Sequence, residues 1–347
     1  MLHPRHQPLF DLLRPYLPLD PRKLHVFTAL ILSMIQARTV VLYQLVPHLQ
    51  LSGTPDSRYK RLKRFVQSDL SDLLVARLIL RYLNPGKIYL VIDRTHWQLG
   101  QHHVNVLLIS VVWHSFAFTL CWTVLDHAGN SSQQHCIQLL KRLLPLLDNF
   151  TIGGLLADRE FIGQEWFQFL AAQRIPPFIR LKADTRVNDQ PVWSCFKKMS
   201  PLKVRYWHLP MKLYGVRFRV MATKSYKGEM LYLAYSGRGD QALKWYAKRW
   251  NAENLHAVLK SRGFKLEASG LYHPQRVAVL LTCVTLAFVW CCLTGERAER
   301  QKPSQTLKYG YPAKSLFRRG LDLLQEDFLQ RSRIPDPGGL HVFEVLH

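Results

Sequence analysis

Near residue 84 the spacing of apolar residues changes from about 3.6 to about 2, so the chain must pass from helices into strands and cannot fold as either alone. Upstream, residues 8–83 keep helical spacing through PLFDLLRPYL, KLHVFTALILSMIQA, VVLYQLVPHL and DLLVARLILRYL. Asn84, Pro85 and Gly86 break that pattern. KIYLVID, HVNVLLISVVW and FAFTLCWTVLD follow, three β-branched and aromatic runs that predict an antiparallel meander. SSQQHCIQLLKRLLPLL then reads as a helix, TIGGLLAD as a buried strand, EWFQFLAAQ as a helix and PFIRLKA as a strand. Strands followed by alternating helix and strand predict an α/β core, a mixed sheet covered by helices. From about Asp184 to Ser236 the pattern returns to β, which predicts an all-β insertion. A helix capped by Asp240 should then run unbroken to about Gly263.

These shifts divide the chain into a helical domain over 1–84, a first part of the core over 85–183, the insertion over 184–239, a second part of the core over 240–295 and a basic C-terminal region over 296–347. At 347 residues and 48% hydrophobic, the chain is long enough for a catalytic core with smaller domains beside it.

Charge narrows the partner. Forty-seven Lys and Arg against 24 Asp and Glu leave a net charge of +23, spread along the whole chain. Such an excess points to a polyanion, most simply double-stranded DNA, because neutralising phosphates releases counterions. A merely basic or ribosome-associated protein would share the charge, so the charge alone assigns no activity. The segment DSRYKRLKRFVQS concentrates it: Arg58, Lys60, Arg61, Lys63 and Arg64 surround an apolar seam of Tyr59, Leu62 and Phe65, with Ser57 or Asp56 as the expected cap. This helix suits a DNA surface, although a solvated basic face has the same pattern.

Six scattered cysteines form no C-x-x-C pair, which excludes a zinc or disulfide framework and suits reduced thiols in a cytoplasmic, nucleoid-associated protein. The N-terminal stretch lacks the uninterrupted apolar run of a signal peptide. VAVLLTCVTLAFVWCCL, Val277 to Leu293, is marginal for a membrane span and reads instead as a helix buried in a large domain, so no membrane partner is expected.

The chemistry rests on acids. Asp93 closes the run KIYLVID and Asp158 closes TIGGLLAD, each at what reads as a strand end. If those strands are neighbours the two carboxylates converge. A third acid comes from WYAKRWNAENLHAVLK, where Tyr246, Arg249, Glu253 and Lys260 fall within roughly 60° of one another on a helix. Three carboxylates around one point require cations, and hard divalent metals are the natural occupants. Two such ions would serve an in-line displacement at phosphorus. Taken singly, each acid also fits a turn residue, a cap or an ordinary pair with Arg249. His96, His102 and His103 read as surface or turn residues, since hard-metal chemistry does not need imidazole.

The chain resembles the DDE transposases of the IS4 family. The resemblance is carried by Asp93-Arg94-Thr95-His96-Trp97, by Ala157-Asp158-Arg159-Glu160-Phe161 and by the spacing Tyr-x2-Arg-x3-Glu-x6-Lys at Tyr246, Arg249, Glu253 and Lys260, and it covers roughly residues 85–265. It implies an RNase H-like core with a β-rich insertion, and two Mg2+ ions, replaceable by Mn2+, on Asp93, Asp158 and Glu253. It further implies that Tyr246, Arg249 and Lys260 hold the DNA backbone near a transposon end around a flipped base. The expected activity is cut-and-paste cleavage and strand transfer at terminal inverted repeats, by a homodimer in a synaptic complex. Trp193, Trp207 and Tyr226 are equal candidates for stacking on the flipped base. Arg159 suits a phosphate or a nearby acid. Lys308, Lys314, Arg318 and Arg319 suit backbone contacts, a dimer surface or plain solvation. The alternatives are an RNase H-like nuclease that never joins ends and a domesticated DNA-binding protein without catalysis.

Overall fold

A computed structural model describes residues 7–83, 86–305, 307 and 312–333. Asn84, Pro85 and Lys308 lie outside the described residues. The chain begins with helices α1 (Gln7–Leu13), α2 (Pro21–Ala37), α3 (Leu42–Leu45), α4 (Pro55–Val66) and α5 (Leu73–Tyr82). Strands β1 (Lys87–Leu99), β2 (His102–Trp113) and β3 (Phe116–Leu125) come next, then α6 (Gln133–Leu143), β4 (Thr151–Ala157), α7 (Gln164–Ala172) and β5 (Pro177–Leu181). Residues 186–235 hold β6 (Arg186–Val187), β7 (Gln190–Pro191), α8 (Val192–Cys195), β8 (Val204–Tyr206), β9 (Met211–Leu213), β10 (Val216–Lys224) and β11 (Met230–Tyr235). Helices α9 (Gly239–Ala247), α10 (Trp250–Ala257), α11 (Pro274–Gln301) and α12 (Leu316–Arg333) complete the fold.

The described residues form two compact units, one of residues 86–96 and 105–254, the other of residues 7–83, 97–104 and 255–333. A mixed sheet with the order β3-β2-β1-β4-β5-β11-β10-β8 dominates the first unit. Its central β1, β4 and β5 are parallel, and the meander and the later strands flank them antiparallel. Within the expected insertion β6 and β7 pair with each other, whereas β8 to β11 extend the core sheet: β11 pairs with β5, placing Tyr235 opposite Phe178. An open β5 edge would leave a row of unpaired backbone groups, which β11 satisfies.

Three local expectations change. Asp93 lies in the middle of β1 rather than at its end, because the polar run after it still alternates, with Thr95 and Trp97 buried, and continues as a hairpin with β2. Thr54, not Ser57 or Asp56, caps α4 by accepting from the Ser57 N–H. The helix expected over 240–263 starts after Arg238, with Asp240 inside its first turn, and is broken. At the break the N–H groups of Lys248, Arg249, Asn251 and Ala252 all bond three residues back, tightening the backbone between α9 and α10. Beyond α10 a π turn, Val258–Arg262, ends at Gly263.

The second unit is helical and built around α11, whose residues from Val277 to Cys292 are mostly buried against α12, α2, α4 and α5. By length and composition α11 could cross a membrane, but 89% of its most apolar stretch is buried among other helices, as a core helix would be. Gly295 and Gly320 let α11 and α12 approach: a Cβ at either would collide with the other helix's backbone. Gln325 of α12 donates to the carbonyls of Ile35 and Gln36, closing the end of α2, where Arg38 pairs with Asp322 at 2.7 Å.

Candidate active site

All three predicted acids belong to the sheet unit. Val91 of β1 stands opposite Leu156 of β4, and two residues further along this parallel register set Asp93 beside Asp158. Ala157 stands opposite Ile179 of β5, so Arg180 follows next to Asp158, with Nη1 3.8 Å from Oδ1. Glu253 comes from α10. Arg249, in the tightened turn, bridges two of the acids: Nη1 is 3.9 Å from Asp93 Oδ2 and Nη2 is 2.5 Å from Glu253 Oε1. Stacking of Trp245 on Tyr89, with ring centres 3.5 Å apart, holds α9 against β1 just before the break. The turn thus swings Arg249 toward the carboxylates instead of leaving it on a straight helix face.

Burial raises the Asp93 carboxyl to about 6, and the nearby charges of Glu253 and Asp158 add to it; the Arg94 N–H, 2.9 Å from Oδ1, and the Arg249 guanidinium oppose the rise. Burial works against the charge on Arg249, yet Tyr246, Asp93, Glu253 and Asp158 together hold its pKa above the ordinary value. Burial also raises the pKa of the Tyr246 phenol above its ordinary value. The 5.8 Å approach of Arg249 to the Tyr246 ring joins these two members of the predicted row. Lys260, the fourth member of the row, lies in the π turn and pairs with Glu267 at 3.1 Å.

A second layer was not read from the sequence. Arg94 Nε donates to Glu160 Oε1 at 3.3 Å and Nη2 to Oε2 at 3.0 Å, a two-pronged clamp between the segments that follow Asp93 and Asp158. Arg94 also donates to the side chains of Asn105 and Asn130, and Asn105 donates to the carbonyls of His127 and Gly129. The signals were there: an asparagine inside the apolar run HVNVLLISVVW, and an arginine inside PFIRL.

Among the described residues no group of three or more His, Cys, Asp or Glu side chains forms a site able to hold a metal ion. The donor chemistry nevertheless fits a hard divalent ion. Asp158 Oδ1 is buried without a hydrogen-bond partner, and burial, with the charges of Glu253 and Asp158 beside it, disfavours ionisation of Asp93.

The family model described as the transposase DDE domain matches residues 84–290. The chain belongs to this family. Among solved structures it is similar to the piggyBac transposase in a cryo-EM synaptic complex with hairpin DNA, at 10% identity, covering 94% of this chain and 76% of that one with a TM-score of 0.46. It is also similar to endonuclease V of Bacillus subtilis, at 11% identity, covering 69% of this chain and 94% of that one with a TM-score of 0.24. Overlaps this shallow carry no argument. No curated protein matches the chain.

The matched transposase domain takes in Asp93, Asp158, Glu253, Tyr246, Arg249 and Lys260 and leaves out the basic cluster of α4. On α4, Lys60, Lys63 and Arg64 are exposed and Arg58 and Arg61 half-buried. In the C-terminal region Lys314 and Arg318 pair with Asp322, and Arg319 with Glu299. Of the candidate aromatics, Trp207 packs edge-on against Phe196 while Trp193 and Tyr226 are exposed. Trp250, beside Arg249, is also exposed and was not singled out. His102 stacks on Tyr272 at 3.8 Å, a packing role.

Proposed function

We propose that the chain is an IS4-type DNA transposase that binds terminal inverted repeats and carries out metal-dependent cleavage and strand transfer on an RNase H-like core. What supports this most is the meeting, in a transposase DDE domain, of Asp93 on β1 with Asp158 at the end of the neighbouring parallel β4, and of Asp93 with Glu253 through Arg249. Asp93, Asp158 and Glu253 would hold Mg2+, with Mn2+ as a substitute. Bound there, a pair of such ions supplies an activated water or 3′ hydroxyl and stabilises the leaving oxygen of an in-line displacement.

The chain's own groups do the positioning. Arg249, held between Asp93 and Glu253, is placed to take a phosphate oxygen of the scissile strand. Tyr246, whose phenol is protonated at neutral pH, donates a hydrogen bond to the same backbone. Arg94 and Glu160 fix the relative position of the two aspartate segments. Lys260 and the α4 cations hold DNA outside the reacting centre, and two copies bring two ends together in the cytoplasm.

Cleavage of DNA carrying the element's own ends, assayed with Mg2+ for wild type and Asp93→Asn, tests the reading. Wild type should cut and join, and Asp93→Asn should bind without cutting. Cutting by Asp93→Asn would overturn the assignment, and cutting without any joined product would favour the nuclease alternative.

A further inference from the structure

The helix α4 is a ridge with a cleft on each flank. Its exposed residues Lys60, Lys63, Arg64 and Gln67 recur at helical spacing and form one outward stripe. On one flank, Arg22, Lys23 and His25 of α2 face Arg61 and Arg64 across a cleft of about 560 Å³. On the other, Tyr43, Tyr59, Lys63, Gln67, Ser269 and Arg276 line a cleft of about 280 Å³. Neither cleft has a carboxylate in its lining.

The ion pairing separates these cations from the rest of the same unit. Arg38, Lys314, Arg318 and Arg319 are all matched to acids. Among the described residues, Arg22, Lys23, Arg61, Lys63, Arg64 and Arg276 have no ion pair. Burial, and after it neighbouring positive charge that includes Arg61, lowers the His25 pKa, consistent with a positive field in the first cleft. Cations held together without acids repel one another, and an external polyanion relieves that repulsion.

We propose that α4 enters the major groove of duplex DNA, with the two flanking clefts receiving the two phosphate backbones. The dimensions agree. A helix with its side chains is about 10–12 Å across and the major groove about 12 Å wide. Arg64 and Gln67 are side chains able to read base edges, whereas Arg22, Lys23 and Arg276 lie where they meet phosphates. The proposal rests on the transposase reading and adds which helix faces which groove.

The test is equilibrium binding of the full chain, in EDTA so that no cleavage intervenes, to a random-sequence duplex across a salt series. The Arg22→Ala/Lys23→Ala double variant should lower the slope of log affinity against log salt by about 2, and Arg276→Ala by about 1. Arg22 and Lys23 are exposed and Arg276 half-buried, and circular dichroism checks that the variants fold. Duplex whose major groove is filled by glucosylated hydroxymethylcytosine should bind about tenfold or more weaker, whereas distamycin in the minor groove should leave binding unchanged. Wild-type slopes in both variants, or competition by distamycin but not by glucosylation, would overturn the proposal while leaving the transposase reading intact. If the wild-type chain binds no duplex DNA at all, both fall.

Discussion

Asp93→Asn should stabilise the protein near neutral pH. The Asp93 carboxyl rises from 3.8 to about 6 on folding, chiefly through burial. The folded chain therefore holds this proton more tightly than the unfolded chain, and stability falls as pH climbs from about 4 to about 6. That interval of roughly two pH units is worth about 3 kcal/mol, at about 1.4 kcal/mol per unit. The attraction of Arg249 at 3.9 Å is already included in the raised value, and an asparagine oxygen can still accept from the Arg94 N–H. Urea unfolding of wild type and variant in EDTA should show the variant's advantage growing from about 1 kcal/mol near pH 4.5 to about 3 kcal/mol near pH 7.5. An advantage that does not change with pH, or a variant less stable than wild type at pH 7.5, would refute the claim that this carboxylate is held at a cost to folding.

Other substitutions probe the supporting structure. Arg94→Ala should cost about 2–3 kcal/mol in denaturant unfolding, because it leaves the half-buried Glu160 without its clamp, and Arg94→Lys should recover only part of it, since an ammonium cannot reproduce the two-pronged contact. Gly320→Ala should destabilise by about 1–3 kcal/mol, read as a lowered urea midpoint, because its Cβ meets the Cys291 carbonyl across the α11–α12 contact. Glu253→Gln should abolish DNA cleavage, whereas Lys260→Ala should weaken DNA binding in a filter or gel assay and leave residual cutting. Removing divalent ions with EDTA should stop cleavage, and Mn2+ should restore it.

Much of the architecture was legible because it depends on local periodicity. The apolar runs around residues 88–125, 152–157 and 177–181 form the strands their spacing predicted, and the two aspartates meet because β1 and β4 are neighbours. The missed features depend on contacts distant in sequence. Nothing local in WYAKRWNAENLHAVLK foretells a break at Lys248 and Arg249; it sits where Trp245 stacks on Tyr89 and Arg249 reaches Asp93. Arg94 and Glu160 stand in the two motifs around Asp93 and Asp158, but the clamp between them joins residues 66 apart and neither motif shows it. The sheet that absorbs β11 was likewise hidden, because strand spacing does not say which edge a strand will pair with. Lys314, Arg318 and Arg319 show the limit of reading charge alone, since the acids they pair with, Asp322 of α12 and Glu299 of α11, are brought to them by the fold.

The most direct test of the central claim is a joining assay with purified full-length chain, linear DNA bearing the inverted repeats that flank its coding segment, a target plasmid and Mg2+. The account predicts plasmid molecules carrying the donor ends, none in EDTA, and none with Asp93→Asn, Asp158→Asn or Glu253→Gln although each still binds the ends. Joined product from any of these three variants, or its absence from wild type that binds and cuts the ends, would contradict it.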